Sequence, residues 1–134
     1  MPMFDDASTA AAPVEEVWKI LYDPVRFPEW WDGIETVDGS GRDGKGDVTF
    51  FPDGYPDFPM PQQLRADQDG RTVMISCLVS DLVFEWRLEP LQGDATRIAV
   101  HVEIPEAEAQ RLDTQRALVS NSLRSLAALA SATT

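Results

Sequence analysis

The sequence is poor in the residues that build crosslinks and metal centres, with one cysteine and one histidine in 134 residues. Cys77 alone cannot form an internal disulfide. One cysteine and one histidine also cannot supply the three or four ligands of a zinc site, so we expect no metal centre. The lone thiol lies in an apolar stretch, which is typical of a buried cysteine in a reducing compartment.

Positive charge is also scarce: the sequence has 11 basic and 23 acidic residues, which gives a net charge of -12. Such a field repels phosphate backbones, so nucleic acid is not an expected partner. No apolar run approaches the ~20 residues of a membrane span, and the N-terminus lacks the basic start and apolar run of a signal peptide. These absences predict a cytoplasmic protein without a membrane span, and they leave its oligomeric state open.

A length of 134 residues suits one domain over residues 1–134 with an ordinary apolar core. After a short strand near Phe4 to Ala10, apolar residues at helical spacing predict a helix that begins at Pro13 and ends before Asp23-Pro24. A short helix or turn is predicted from there to Trp31, because aromatic residues recur at i, i+3 and i+4.

The period then changes to two, which predicts a series of strands. The segments are GIETVD, DVTFF, QQLRADQ, RTVMISCLV, LVFEWRLEP and ATRIAVHVEI. Asp-Gly and Gly-Asp pairs between them are typical of hairpins, so neighbouring strands should be antiparallel. Leu82, Phe84, Trp86 and Leu88 alternate with polar residues, which indicates one dry face and one wet face.

The chain ends in a predicted helix of ~20 residues or more that begins near Pro105 and is long enough to cross a sheet. Its apolar stripe should lie against the dry face. The stripe consists of Leu112, Val119, Leu123, Leu126 and Ala130.

Several stretches together resemble the START-like (SRPBCC) helix-grip superfamily, in particular its small bacterial polyketide cyclase/dehydrase-like members. The stretches are STAAAPVEEVWKILYDPVRFPEWWDGIETV, GRTVMISCLV, VFEWRLEPLQGDATRIAVHVEI and the terminal helix. The resemblance implies an α+β fold in which a curved antiparallel sheet of about seven strands wraps on a long C-terminal helix, with two short helices between strands 1 and 2. A ligand pocket is expected between sheet and helix.

Two other motifs do not fit their usual functions. Residues 39–44, GSGRDG, match the glycine pattern of dinucleotide sites, but a strand follows where a phosphate-binding helix would be needed, so we predict no cofactor. His101 alternates with Val100 and Val102 and should therefore point outward, away from any nucleophile in a pocket.

We predict that the pocket is lined by large, mainly apolar side chains from the dry face, the helix and the aromatic segments. These ligand-binding residues are Trp31, Phe51, Tyr55, Leu64, Ile75, Cys77, Phe84, Trp86, Val100, Val119 and Leu123. The proline-rich segment 50–62 is interpreted either as a cap on the core or as a lid that carries the Tyr55 hydroxyl.

Resemblance to aromatase/cyclases implies pocket arginines, yet two of those positions fall on Leu64 and Cys77 here. The remaining candidates for catalysis are Tyr55, Arg65 and Ser76, and period two places Arg65 on the wet face. The favoured hypothesis is therefore non-catalytic binding of a small hydrophobic molecule such as a polyketide, an isoprenoid or a lipid tail.

Two alternatives to this binding hypothesis stay open. One is a polyketide cyclase/dehydrase-type enzyme. The other is a protein-interaction or chaperone-regulator-like domain with a filled cavity, whose exposed apolar patch would include Met74 and Leu78.

The adjacent indoles of Trp30 and Trp31 need different places, because neighbouring side chains diverge on any regular element. We expect Trp30 to fill the core and Trp31 to lie at the rim of the pocket with its N–H toward water.

Overall fold

The computed structural model describes residues 3–39, 45–52, 59–78 and 82–132. In these ranges seven strands and three α-helices follow one another, with short 3-10 turns at Pro24–Arg26 and Glu106–Arg111. The elements are β1 (Met3–Ala10), α1 (Val14–Leu21), α2 (Phe27–Trp30), β2 (Ile34–Gly39), β3 (Lys45–Pro52), β4 (Met60–Asp67), β5 (Thr72–Cys77), β6 (Val83–Leu91), β7 (Ala95–Glu103) and α3 (Leu112–Ala132).

The strands form one antiparallel sheet in the order β1-β7-β6-β5-β4-β3-β2. Along β6, Phe84, Trp86 and Leu88 are buried, whereas Arg87 between them is exposed. The predicted alternation is therefore confirmed, and one face of the sheet forms the core. With α1 and α2 between β1 and β2 and with α3 on the buried face, the predicted helix-grip fold is confirmed.

The hairpin between β6 and β7 follows its predicted turn chemistry. Leu91 pairs with Ala95, so residues 92–94 form the loop. Gly93 and Asp94 take φ values of 75° and 56°, in the left-handed region that glycine adopts without strain and aspartate tolerates.

The C-terminal helix begins later than the sequence predicts. Pro105 leads into a 3-10 turn closed by a 2.8 Å hydrogen bond from the Glu108 N–H to the Pro105 carbonyl. Glu108 then leaves helical geometry, with φ -114° and ψ 15°, so the α-helix begins only at Leu112. The prediction of one continuous helix from Pro105 is wrong, because this break turns the chain from β7 onto the sheet.

The core stripe of α3 is confirmed at Val119, Leu123, Leu126 and Ala130, all of which are buried. Toward the C-terminus the helix packs on β1 and α1, where small side chains permit a close approach of the backbones. The Ala11 N–H donates a 3.0 Å hydrogen bond to the Ser131 hydroxyl at this end. The C-terminal end of α3 is thus tied to the residue that follows β1.

In the ranges described, no helix combines the length and the apolar character that a membrane span requires.

Candidate functional site

A tight corner from Trp31 to Ile34 joins α2 to β2 and forms one wall of the site. Gly33 has a φ of 93°, a left-handed conformation that favours glycine. A Cβ atom at this position would lie 3.5 Å from the Leu118 Cδ2 atom of α3. The corner therefore approaches the helix closely at the point where the chain turns into the sheet.

Helix α2, which precedes the corner, carries an ion pair between Arg26 at its N-terminus and Glu29. The Arg26 Nε donates a 3.1 Å hydrogen bond to the Glu29 carboxylate. This bond raises the pKa of the Arg26 guanidinium, so the arginine is charged at any ordinary pH.

A buried serine ties the corner to α3. The Asp32 N–H donates a 2.9 Å hydrogen bond to the Ser122 hydroxyl, which in turn donates a 2.7 Å bond to the Leu118 carbonyl. The Asn121 amide also donates to the Asp32 carboxylate at 3.1 Å. These bonds fix the distance between the corner and the N-terminal half of the helix.

We expect Ser122→Ala to lower the free energy of unfolding by about 1–2 kcal/mol, because it leaves the Asp32 N–H without its acceptor. Chemical denaturation measures this loss. Ser125→Ala, an exposed serine on the same helix, is the matched control and should change stability by less than about 0.5 kcal/mol. Equal stability of the two variants would show that the tether contributes nothing.

A cavity of about 200 Å³ lies between the sheet and the N-terminal half of α3. Its floor comes from β3 to β6, its roof from α3 and the preceding 3-10 turn, and one wall from the Trp31–Ile34 corner. The apolar lining residues are Trp31, Ile34, Phe50, Met60, Cys77, Leu82, Phe84 and Leu118. The polar lining residues are Asp32, Gln62, Arg111 and Gln115.

Two of the polar residues are buried glutamines, and neither amide has all of its possible hydrogen bonds among the described residues. The Gln62 Nε2 donates a 3.2 Å hydrogen bond to the Met60 carbonyl, and this residue is 2% exposed. Gln115 is 7% exposed, and its amide forms no hydrogen bond with the described residues. Among these residues the wholly occluded side-chain groups without a partner are the indole nitrogens of Trp30 and Trp86. The glutamine amides are therefore not wholly occluded, and both residues line the cavity.

The charged groups of the lining lie at its mouth. Arg111 keeps 37% of its side chain exposed and lies 3.7 Å from the Glu108 carboxylate. Asp32 is exposed and accepts the hydrogen bond from Asn121. The interior of the cavity is thus apolar with two neutral amides, and its two charges are in contact with solvent.

The two adjacent tryptophans are both core residues. Trp30 is 2% exposed and Trp31 is 6% exposed, and their rings stack at 5.4 Å. Trp31 also meets Phe84 at 5.1 Å and Trp86 at 5.2 Å, in each case with the rings strongly inclined. The prediction that Trp31 lies at a solvent-facing rim is wrong, because aromatic side chains of α2, β3 and β6 form a cluster that encloses it. Its ring nevertheless lines the cavity.

The predicted ligand-binding residues divide into three groups. Trp31, Cys77 and Phe84 line the cavity. A second group lies in the packed core away from it, and these residues are Leu64, Ile75, Trp86, Val100, Val119 and Leu123. Phe51 is half-buried and alternates with the inward Phe50, and Tyr55 lies outside the described residues, with the rest of segment 53–58 of the proposed lid.

The remaining sequence candidates lie on the outer face of the sheet or beyond the described ranges. Arg65 is exposed, and Ser76 is half-buried between the inward side chains of Ile75 and Cys77. Met74 and Leu78 are exposed, at 38% and 53%. The GSGRDG motif lies outside the described residues beyond Gly39, so its interpretation is not altered.

The outer face carries a broad depression of about 760 Å³ lined largely by charged side chains. The His101 Nδ1 lies 2.8 Å from the Asp5 carboxylate, and the Arg87 guanidinium donates to Glu85 at 2.9 Å. His101 is outward, as the strand period predicts. These groups pair with one another across an open surface, and among the described residues no cluster suits a metal ion.

Sequence analysis did not identify the two glutamines, although the same periodicities mark their positions. Gln62 lies two residues before the inward Leu64 on a strand, and Gln115 lies four residues before Val119 on the helix. Both therefore belong to the buried faces. A search for buried polar residues in these patterns, as well as apolar ones, would have found them.

Comparisons with known proteins agree with this architecture. The family model for polyketide cyclase/dehydrase and lipid transport proteins matches residues 10–115. No curated protein matches the chain significantly in sequence.

Among solved structures, a START superfamily protein from Mycobacterium smegmatis has a TM-score of 0.78 at 14% identity, over 98% of this chain and 99% of that one. The Zhui aromatase/cyclase from Streptomyces sp. R1128 has a TM-score of 0.75 at 18% identity, over 96% and 93%. The di-domain ARO/CYC BexL of the BE-7585A biosynthetic pathway has a TM-score of 0.77 at 15% identity, over 95% of this chain and 45% of that one. This chain thus spans less than half of the di-domain protein, and at these identities the likeness concerns the fold.

Proposed function

Because the chain belongs to the polyketide cyclase/dehydrase and lipid transport family, we propose that it binds a compact, largely apolar molecule in the cavity under α3. One observation carries the proposal: the helix and the sheet separate around a mainly apolar cavity lined by two buried glutamines, whose amides lack full partners among the described residues. A well-packed core excludes such a space, and polar groups at this depth are normally paired.

The volume of the cavity restricts the size of the ligand. Pockets for drug-sized ligands measure roughly 300–1,000 Å³, and an apolar cavity of about 150 Å³ accommodates benzene. At about 200 Å³, the cavity suits a single substituted ring or a short branched chain. A polyketide, an isoprenoid or a lipid would be enclosed only in part, with the rest of the molecule beyond the mouth.

Such a ligand should bind weakly but specifically. A substituted ring that buries about 200 Å² of apolar surface gains on the order of 5 kcal/mol at ~25 cal/mol/Å², before the cost of ordering. Dissociation constants of single-ring compounds are therefore expected in the millimolar range. A natural ligand that extends through the mouth would gain further contacts.

The positions of Arg65 and Ser76, the two catalytic candidates among the described residues, favour binding over cyclase chemistry. A cyclisation through an enolate needs groups that move protons and stabilise negative charge at the reacting atoms. Arg65 and Ser76 lie on the sheet face opposite the cavity. In the described part of the lining, the ionised groups are Asp32 and Arg111 at the mouth.

Titration with toluene, followed by heteronuclear NMR, tests the proposal. We expect saturable shifts of the methyl signals of Leu82 and Leu118 and of the Trp31 indole signal. Leu118→Trp adds a ring to the cavity and should abolish these shifts while the protein stays folded. Leu91→Trp is the matched control, because Leu91 is exposed at the β6–β7 hairpin, and it should bind toluene as the wild type does.

Two results would contradict the proposal. Absence of saturable shifts in the wild type would show that the cavity does not admit a ligand. Shifts that persist unchanged in Leu118→Trp would place the ligand elsewhere on the molecule.

A further inference from the structure

We infer that Gln62 and Gln115 select a neutral ligand that presents a hydroxyl or similar hydrogen-bond donor inside the cavity, in preference to a pure hydrocarbon of the same size. This inference rests on the proposed function, since it concerns the ligand of the same cavity. It goes beyond the family match, because it depends on two side chains of this chain and on their free hydrogen-bonding atoms.

The orientation of Gln62 determines which atom it offers. Its contact at 3.2 Å is with the Met60 carbonyl, which only accepts, so the atom in contact is the amide nitrogen. The Gln62 Oε1 is then left as an acceptor with no partner among the described residues. A ligand satisfies this oxygen only by donating a hydrogen bond.

Gln115 adds a complete amide from the opposite side of the cavity. It projects from the first turns of α3, on the roof, whereas Gln62 belongs to β4 in the floor. With no hydrogen bond to the described residues, its amide offers both a donor and an acceptor. A hydroxyl both donates and accepts, so it complements this pair of amides.

The charges around the cavity favour a neutral ligand over an anionic one. Arg111 at the mouth lies beside Glu108, and Asp32 is on the same rim. The whole chain carries a net charge of -12, which disfavours the approach of anions. The interior amides are uncharged, so a buried carboxylate would lose its hydration without gaining a counter-ion.

The test compares 4-methylphenol with 1,4-dimethylbenzene, which differ by a hydroxyl in place of a methyl group. In an apolar cavity the hydrocarbon binds more tightly, because the buried hydroxyl loses its bonds to water. We expect wild-type protein to bind 4-methylphenol at least as tightly as the hydrocarbon. In Gln62→Leu and Gln115→Leu, the ratio of the two dissociation constants should shift toward the hydrocarbon by about tenfold.

Gln63→Leu is the matched control, because it changes the exposed neighbour of Gln62 on the same strand. It should leave the ratio of dissociation constants unchanged. Gln115→Met provides a second variant of similar length if the leucine variant unfolds, and thermal unfolding establishes that each variant is native. 4-Methylbenzoate serves as the anionic probe and should bind more weakly than 4-methylphenol.

The outcomes separate this inference from the proposed function. Suppose that both neutral probes bind with the same ratio of dissociation constants in the wild type and in the glutamine variants. The cavity would then be a binding site, and the inference that the glutamines select the ligand would be wrong. Tightest binding of 4-methylbenzoate would also overturn the inference, in favour of an anionic ligand. If neither neutral probe binds in the cavity, the proposed function and the inference both fail.

Discussion

Trp31→Ala is expected to lower the free energy of unfolding by about 3–5 kcal/mol, as much as Trp30→Ala, because each change empties a large space in a packed core. Trp31 is enclosed by Phe27 at 5.3 Å, Phe50 at 5.5 Å and Phe84 at 5.1 Å, in addition to Trp30. Such inclined and offset pairs contribute beyond the area that they bury. Urea denaturation of the two variants measures the effect.

Trp18→Ala is the matched control for these substitutions. Trp18 is half-buried on α1 and stacks on Tyr22 at 5.8 Å, so its removal leaves a surface gap that water fills. We expect it to cost about 1–2 kcal/mol. If Trp31→Ala cost no more than this, the ring would contribute little to the core, as expected for a residue at the rim.

Leu64→Arg is expected to destabilise the protein by about 4 kcal/mol or more, enough to lose most of the folded protein. Leu64 is fully buried on β4 opposite Ile75, and it does not reach the cavity. A guanidinium at this position would be desolvated without an acidic partner. Soluble yield and denaturant midpoint report the loss.

The comparison is with Gln63→Arg, one residue earlier on the same strand but on the exposed face. This variant should be as stable as the wild type within about 0.5 kcal/mol. A stable Leu64→Arg protein would show that the interior at this point reaches water. A charged cyclase-type pocket would then be compatible with the fold, which would favour the enzyme hypothesis.

Trp31→Ala tests a residue that lines the cavity, and Leu64→Arg tests a residue in the packed core away from it. Trp31 contributes to the core and to the cavity wall, so its loss should enlarge the cavity as well as weaken the fold. Leu64 lies on the inner face of the sheet and does not line the cavity under α3. Together they define how far the ligand space extends over the sheet.

The fold was predictable from the sequence because local patterns determine which face of an element is buried. The alternation in β6 and the stripe on α3 fix two apolar faces, and these faces have few ways to cover each other. The break at Glu108 was not predictable, because the acidic segment 106–111 suits a helix locally. The geometry of this segment depends instead on the change of chain direction after β7.

The candidate site was only partly predictable, since periodicity gives the face of a residue but not its distance from the covering helix. Leu64, Ile75 and Phe84 all point inward, and only Phe84 lines the cavity. What separates them is the position of α3, which packs mainly on β1 and α1 rather than on the middle strands of the sheet. That position depends on contacts between residues far apart in sequence.

The sequence by itself determined the absence of disulfides, the strong negative charge, the seven-stranded α+β fold and the family. Tertiary structure alone decided that Trp31 belongs to the core and that Gln62 and Gln115 line one cavity. The physical reason is that burial of a face follows from local periodicity, whereas an enclosed space forms only where two distant elements fail to meet. The binding site proposed for the ligand therefore depends on how α3 packs against the sheet.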